Sequence, residues 1–215
     1  MAIRILFVPF PLPKDYNAPG SDYIDKNNAW IRNYKKKAVQ EDKAIHDIYQ
    51  LFFHDKPSPM ISGLGEDDQI YIRGHSLPGF DGIFDHTEYD ENGKRIPTTR
   101  MDQDLLIKLT PNRDTGHINP KYSIKAEVVV DRLLKSGLQS QFKGAIKCYN
   151  CHSAEADMGG TSFAKALRNA LNARQYKACR VYGYKGALSS WQDFETGHKS
   201  STAGGRASSQ RVLIE

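Results

Sequence analysis

Three cysteines in 215 residues are too few for a disulfide framework, so the chain is not one of the small stapled domains of secreted proteins. Each thiol must instead be explained by burial, metal binding or chemistry. Long apolar runs are missing as well. None approaches the ~18 residues that carry a helix across a membrane, and no membrane span is expected. The N-terminal stretch MAIRILFVPFPLP is interrupted by prolines and followed by no small-residue cleavage site. It reads as a first buried strand rather than a signal peptide. Synthesis is therefore expected in the cytoplasm, with export by a route that needs no cleaved signal left open. A clustered basic patch is absent too. The net charge is +5, yet 30 lysines and arginines are scattered among 25 acidic residues, and the dense run is Lys35-Lys36-Lys37 alone. That pattern gives no reason to expect a nucleic-acid partner.

What is present suffices for one α/β domain over residues 1–215. Ile3 to Val8 is apolar bar Arg4 and reads as a central strand. Phe10 to about Arg32 reads as a loop rich in Pro, Asn, Asp and Gly. A helix is expected over about Lys36 to Phe53, with Ala44, Ile45, Ile48, Leu51 and Phe52 on one face. Gln69 to Arg73 is the second strand. Gly82-Ile83-Phe84 and the Asn92-Gly93 turn suggest a small hairpin, and Leu105 to Leu109 suggests a short helix. Clearer patterns follow. Ser123 to Ser136 reads as a helix with Gly137 at its C′ position, and Ala145 to Tyr149 as a strand. Thr161 or Ser162 caps a helix whose Phe163, Ala166, Leu167, Ala170 and Leu171 share a face. Cys179 to Gly183 is another strand, Ser189 to Ser209 a Gly/Ser-rich loop, and Arg211 to Ile214 a closing strand. This alternation predicts a mostly parallel sheet with helices on both faces. Right-handed crossovers would bring every parallel strand end to one edge.

Two stretches then stand out. In GAIKCYNCHSAEADMGGTSFAKALRNAL, Cys151 lies just past a strand and is followed by a turn and a helix. In QIYIRGHSLPG, His75 lies just past another strand. Open α/β sheets place their chemistry outside such strand ends. If the two strands are neighbours, His75 can activate Cys151, since a thiol becomes nucleophilic as it loses its proton. The backbone N–H groups of Cys151 and Ser76 are candidate donors to a tetrahedral oxyanion. Gly74 and Gly79 are expected to keep the loop clear for a substrate.

Other readings compete. Cys148 lies inside a strand and Cys179 at the start of one, and both read as core thiols. Cys148-Tyr149-Asn150-Cys151-His152 formally matches the haem-attachment pattern C-x-x-C-H, and its first four residues match a redox pair. The overlap with a strand argues against both, because a redox pair sits at a helix start with exposed sulfurs. Zinc on Cys148, Cys151 and His152 lacks a second C-x-x-C or a spaced His pair. Gly74-His75-Ser76-Leu77-Pro78 partly matches the nucleophile elbow, but Pro78 stands where glycine belongs. His46, His54, His86, His117 and His198 carry no motif.

IYIRGHS and AIKCYNCHSAE, followed by SFAKALRNAL and CRVYGYKGALS, resemble the caspase-like cysteine peptidases of clan CD. These include caspases, gingipains, clostripain and the self-cleaving domains of bacterial RTX toxins, and the toxin branch is the most similar. The resemblance covers about half the chain, from Gln69 to Ser189. It implies a caspase-like three-layer sandwich and a peptidase with His75 and Cys151 as a metal-free, cofactor-free dyad. It also implies a substrate pocket drawn from Tyr184, Lys185, Ser189 and Asp193, with a peptide or protein as substrate. A bacterial secreted effector or toxin is the implied setting. Ser76 follows the histidine where the family usually has glycine, and Asn150 precedes the cysteine. An amidase acting on cell-wall peptides and a non-catalytic binding module of the same fold are the alternatives. The sequence leaves the oligomeric state open.

Overall fold

The computed structural model describes residues 2–12, 21–84, 123–157, 160–192 and 199–215. Its centre is a six-stranded sheet, five strands parallel and one antiparallel. The strands are β1 (Ile3–Pro11), β2 (Asp47–Phe53), β3 (Gln69–Arg73), β6 (Ala145–Tyr149), β7 (Arg180–Tyr184) and β10 (Arg211–Ile214), in the order β10-β7-β6-β3-β1-β2. Two two-stranded sheets complete the numbering. β4 (Gly82–Phe84) pairs β5 (Ser123–Lys125), and β8 (Leu188–Gln192) pairs β9 (Lys199–Ser201), both antiparallel.

From β1 the chain steps outward to β2, then returns to the other side of β1 and proceeds through β3, β6 and β7. Right-handed crossovers in opposite directions must pass over opposite faces, so the helices divide between them. Helix α1 (Ser21–Gln40) covers one face, where Trp30 packs with Leu6, Tyr71, Tyr149 and Tyr184. The other face carries Ile5, Phe7, Ile70, Ile72, Ile146, Cys148 and Val181, all buried, in one core with the helices α3 (Ala126–Lys135) and α4 (Phe163–Ala173). Parallel pairing in register explains the split. Ile5 aligns with Ile70 and Ile70 with Ile146, while Leu6 aligns with Tyr71 and Tyr71 with Lys147. A short α2 (Pro59–Ser62) lies between β2 and β3. No helix among the described residues is long and apolar enough to cross a membrane.

The strands β1, β3, β6, β7 and β10 lie where the apolar runs place them, within a few residues at the ends. Ser162 caps α4, its hydroxyl accepting from the Lys165 N–H at 3.4 Å, and Gly137 follows α3 at a φ of 101°. Three expectations are corrected. Of the loop read from Phe10 to Arg32, Phe10 and Pro11 end β1, residues 13–20 lie outside the described residues, and Ser21 onward is α1, which ends at Gln40. The helix expected to Phe53 is instead the edge strand β2, parallel to β1 with Ile3 opposite Asp47. The loop from Ser189 contains β8, β9 and a 3-10 turn at Ala207–Gln210. Two smaller differences follow. Ser123–Lys125 is the partner of β4 rather than the first turn of a helix. Asn92-Gly93 and Leu105 to Leu109 lie outside the described residues.

Candidate active site

β3 and β6 are adjacent, parallel and in register up to the pair Arg73 and Tyr149. His75 and Cys151 each stand two residues beyond that last row, at the same edge of the sheet. The two chain ends remain tied there. The Asn150 side-chain amide donates to the Gly74 carbonyl at 2.9 Å, one residue before each site residue. Asn150 therefore has a structural reason for its place before the cysteine. Gly74 has one too: a Cβ there would lie 2.8 Å from Ile83 Cδ1 and 3.2 Å from Asn150 Nδ2. Gly79 adopts a φ of 70° and would drive a Cβ to 2.6 Å from that of Asp157. Both glycines permit close packing within the fold, which corrects the expectation that they clear space for a substrate.

His75 is fixed at its backbone by a bridge to Phe84, with N–H to carbonyl distances of 2.9 Å in both directions. Its ring sits 5.7 Å from that of Tyr23 and 5.8 Å from that of Phe84, centroid to centroid. Nε2 is 3.2 Å from Nζ of Lys26 on α1. Arg73 is buried beneath, its Nε donating to Asn27 Oδ1 at 2.9 Å and its guanidinium 4.9 Å from the Tyr149 ring centroid. Ser76 is buried as well, and its hydroxyl donates to the Gly82 carbonyl at 3.2 Å. That ties the hydroxyl into the fold and leaves the elbow reading without an exposed nucleophile.

Cys151 is half-buried. Its sulfur accepts from the Leu188 N–H at 3.3 Å and lies 3.9 Å from the Leu188 carbonyl oxygen. Burial pushes the thiol above its ordinary range, while the Leu188 N–H and the charges of Lys26 and Arg73 pull it down. The turn after Cys151 is stitched to the loop after β7. The His152 N–H donates to Gly186 O at 2.9 Å, Ala154 N–H to Tyr184 O at 3.0 Å, and Gly186 N–H to Glu155 Oε2 at 3.2 Å. Glu155 also pairs with the His152 ring, and His152 holds a φ of 55°. Ser153 completes the stitch, donating to Cys148 O at 2.7 Å and accepting from the Tyr184 N–H at 2.9 Å.

The four residues named for a substrate pocket fall in different places. Tyr184 is buried in the aromatic cluster, 5.1 Å from the Tyr149 ring, and Lys185 is exposed in the following turn. Ser189 lies in β8, and Asp193 is outside the described residues. The other two thiols are apart from this edge. Cys148 is fully buried in the α3/α4 core, where burial drives its titration far upward. Cys179 is buried with its sulfur 3.4 Å from Tyr176 O. Cys148 and Cys151 thus face different surroundings, as a shared metal or redox pair would not. Among the described residues, no group of three His, Cys, Asp or Glu side chains is gathered to hold a metal ion.

Sequence reasoning missed Tyr23, Lys26 and Asn27, all on a segment it read as loop. The signal was there. Tyr23, Asn27, Trp30, Tyr34 and Ala38 recur at helical spacing, but asparagine and tyrosine contribute little to a purely apolar stripe. No protein-family model matches this chain, and no curated protein matches it.

Proposed function

We propose that the chain is a cysteine peptidase with a caspase-like fold, in which Cys151 is the nucleophile and His75 moves the protons. The observation that carries this reading is the position of the two residues. Each lies two steps past the last paired row of adjacent parallel strands, with Asn150 and Gly74 tied between them. The sequence of strand, nucleophile, turn and capped helix from Ala145 to Ala173 supports the fold assignment.

The chemistry follows from these groups. The Cys151 thiolate attacks the carbonyl carbon of a peptide bond, forming a C–S bond and placing charge on the carbonyl oxygen. The backbone N–H groups of Cys151 and Ser76 take that charge. Collapse breaks the C–N bond, and His75 gives a proton to the departing amine. A water then attacks the thioester, His75 takes its proton, and the thiolate is released with the acid product. In this reading the chain after β7, with Lys185 in the turn and Ser189 in β8, flanks the residue before the scissile bond. The substrate is a peptide or protein.

Cys151→Ala and His75→Ala should each lower peptide hydrolysis by at least ~10³-fold. A thiol-directed electrophile at neutral pH should modify Cys151 faster than Cys148 or Cys179. Full activity in both alanine variants would sink the reading. One observation favours a non-catalytic binding module of the same fold, namely that the Leu188 backbone lies against Sγ. That reading predicts labelling of Cys151 no faster than of the two core thiols.

A further inference from the structure

Lys26 is placed on α1 by its neighbours. Tyr23, one turn earlier, is buried with its hydroxyl 3.4 Å from Phe84 O. Asn27, the next residue, is fully buried and accepts from Arg73. Between these anchors the Lys26 Nζ lies 5.8 Å from the Tyr23 ring centroid and 3.2 Å from His75 Nε2. We propose that Lys26 is a positioning residue of the site: it holds His75 as the neutral Nδ1–H tautomer and supplies charge that balances the Cys151 thiolate. The proposal rests on the His75–Cys151 reading above.

An ammonium carries three donors and no acceptor, so the ring nitrogen it meets must accept. A neutral imidazole that accepts at Nε2 carries its proton on Nδ1. Tyr23 and Lys26 from α1 and Phe84 from β4 lie against the His75 ring. Lys26 is a cation, and a second positive charge on the ring beside it is disfavoured. Lys26 and Arg73 both favour the thiolate form of Cys151 against the burial that opposes it. The countercharge to the thiolate therefore lies on fixed cations rather than on an imidazolium.

The proton count closes in this arrangement. Nδ1 gives its proton to the leaving amine as Nε2 takes one from Lys26. In the second half the attacking water gives a proton to Nδ1, and Nε2 returns one to Lys26. No other acid or base is needed.

The test uses the full chain with Lys26→Met and Lys26→Arg. Iodoacetamide modification of Cys151 is followed against pH by peptide mapping, and the His75 ring nitrogens are followed by ¹⁵N NMR. In Lys26→Met the midpoint of Cys151 modification should rise by about one pH unit, roughly a tenfold slower reaction near neutrality. Lys26→Arg should recover most of that loss. His75 should be the Nδ1–H tautomer in the wild-type protein from about pH 6 to 8, and should lose that preference in Lys26→Met. An unchanged midpoint in Lys26→Met overturns the proposal, as does an Nε2–H ring in the wild-type protein. A merely structural role for Lys26 would lower reactivity without moving the midpoint. Cys151 unreactive in every protein would instead sink the peptidase reading, and the tautomer of His75 would then decide the role of Lys26 alone.

Discussion

Lys147 sits in the middle of the sheet, on the face covered by α1, and is 7% exposed. Its Nζ donates to Gln69 Oε1 at 2.6 Å and to the Tyr71 hydroxyl at 3.1 Å. Burial, and then the charges of Arg211, Arg4 and Arg180, lower its titration from 10.5 to about 7. The sign of the effect on stability follows from proton uptake. Between about 7 and 10.5 the unfolded chain holds a proton on this lysine that the folded chain has released, so stability rises with pH across that window. Below about 7 the folded protein carries the full cost of a buried charge beside other cations. Replacing a buried ionic group by an apolar one of similar shape is often stabilising by about 1–4 kcal/mol. Lys147→Met should accordingly raise the urea midpoint near pH 6, and the gain should shrink steadily as the pH is raised towards 10. A constant difference across that range would mean that Lys147 is not the titrating group. At this scale the sequence was legible only in part. Lys147 reads as the polar residue of an apolar strand, and nothing in AIKCY shows that it is buried within reach of the charges of three arginines from other strands.

The elements divide by how their burial is achieved. β1, β3, β6 and β7 are covered on both faces, and α4 presents a clean apolar stripe, so their residues announce them. α1 and β2 do not. In β2 the residues Ile48, Leu51 and Phe52 happen to match helical spacing with Ala44 and Ile45. The strand is an edge, exposed at Asp47 and Tyr49, and its short DIYQLFF run of aromatic and branched side chains was the better sign. α1 packs with aromatic and polar side chains, and its Asn-rich sequence masks a buried stripe. This helix nevertheless carries Tyr23, Lys26 and Asn27 to the strand ends, so half of the site's surroundings were hidden with it. Its anchor is Trp30, which is 7% exposed and lies 5.1 Å from Tyr71 and 6.5 Å from Tyr149, ring to ring. Removing a buried tryptophan side chain costs about 3–5 kcal/mol. Trp30→Ala should lose at least ~3 kcal/mol in urea unfolding. It should also slow Cys151 modification, because Lys26 is no longer held against His75. A helix that merely covers the sheet would show the first effect without the second.

For the whole molecule, one core joins both crossovers, since β1, β3, β6 and β7 share a cluster with α3 and α4. Cys148 lies at its centre, fully buried on the strand that also leads to Cys151. Its sulfur can be reached by solvent only if that sheet opens. Cys151, three residues later, meets solvent at the sheet edge and needs no such opening. The two thiols therefore report on different motions of one chain. If residues 1–215 fold as a single cooperative unit, modification of Cys148 requires global unfolding. In a Cys151→Ser protein the free energy of opening measured from Cys148 modification, extrapolated against urea, should match the global value from circular dichroism. Its urea dependence should match as well, because that slope scales with the surface exposed. A clearly smaller slope at Cys148 would show that β6 opens while the rest of the sheet stays folded, and the chain would then be more than one unit. Equality would tie the strand that leads to Cys151, the proposed nucleophile, to the most stable part of the molecule. That is the rigid support the proposed two-residue site needs.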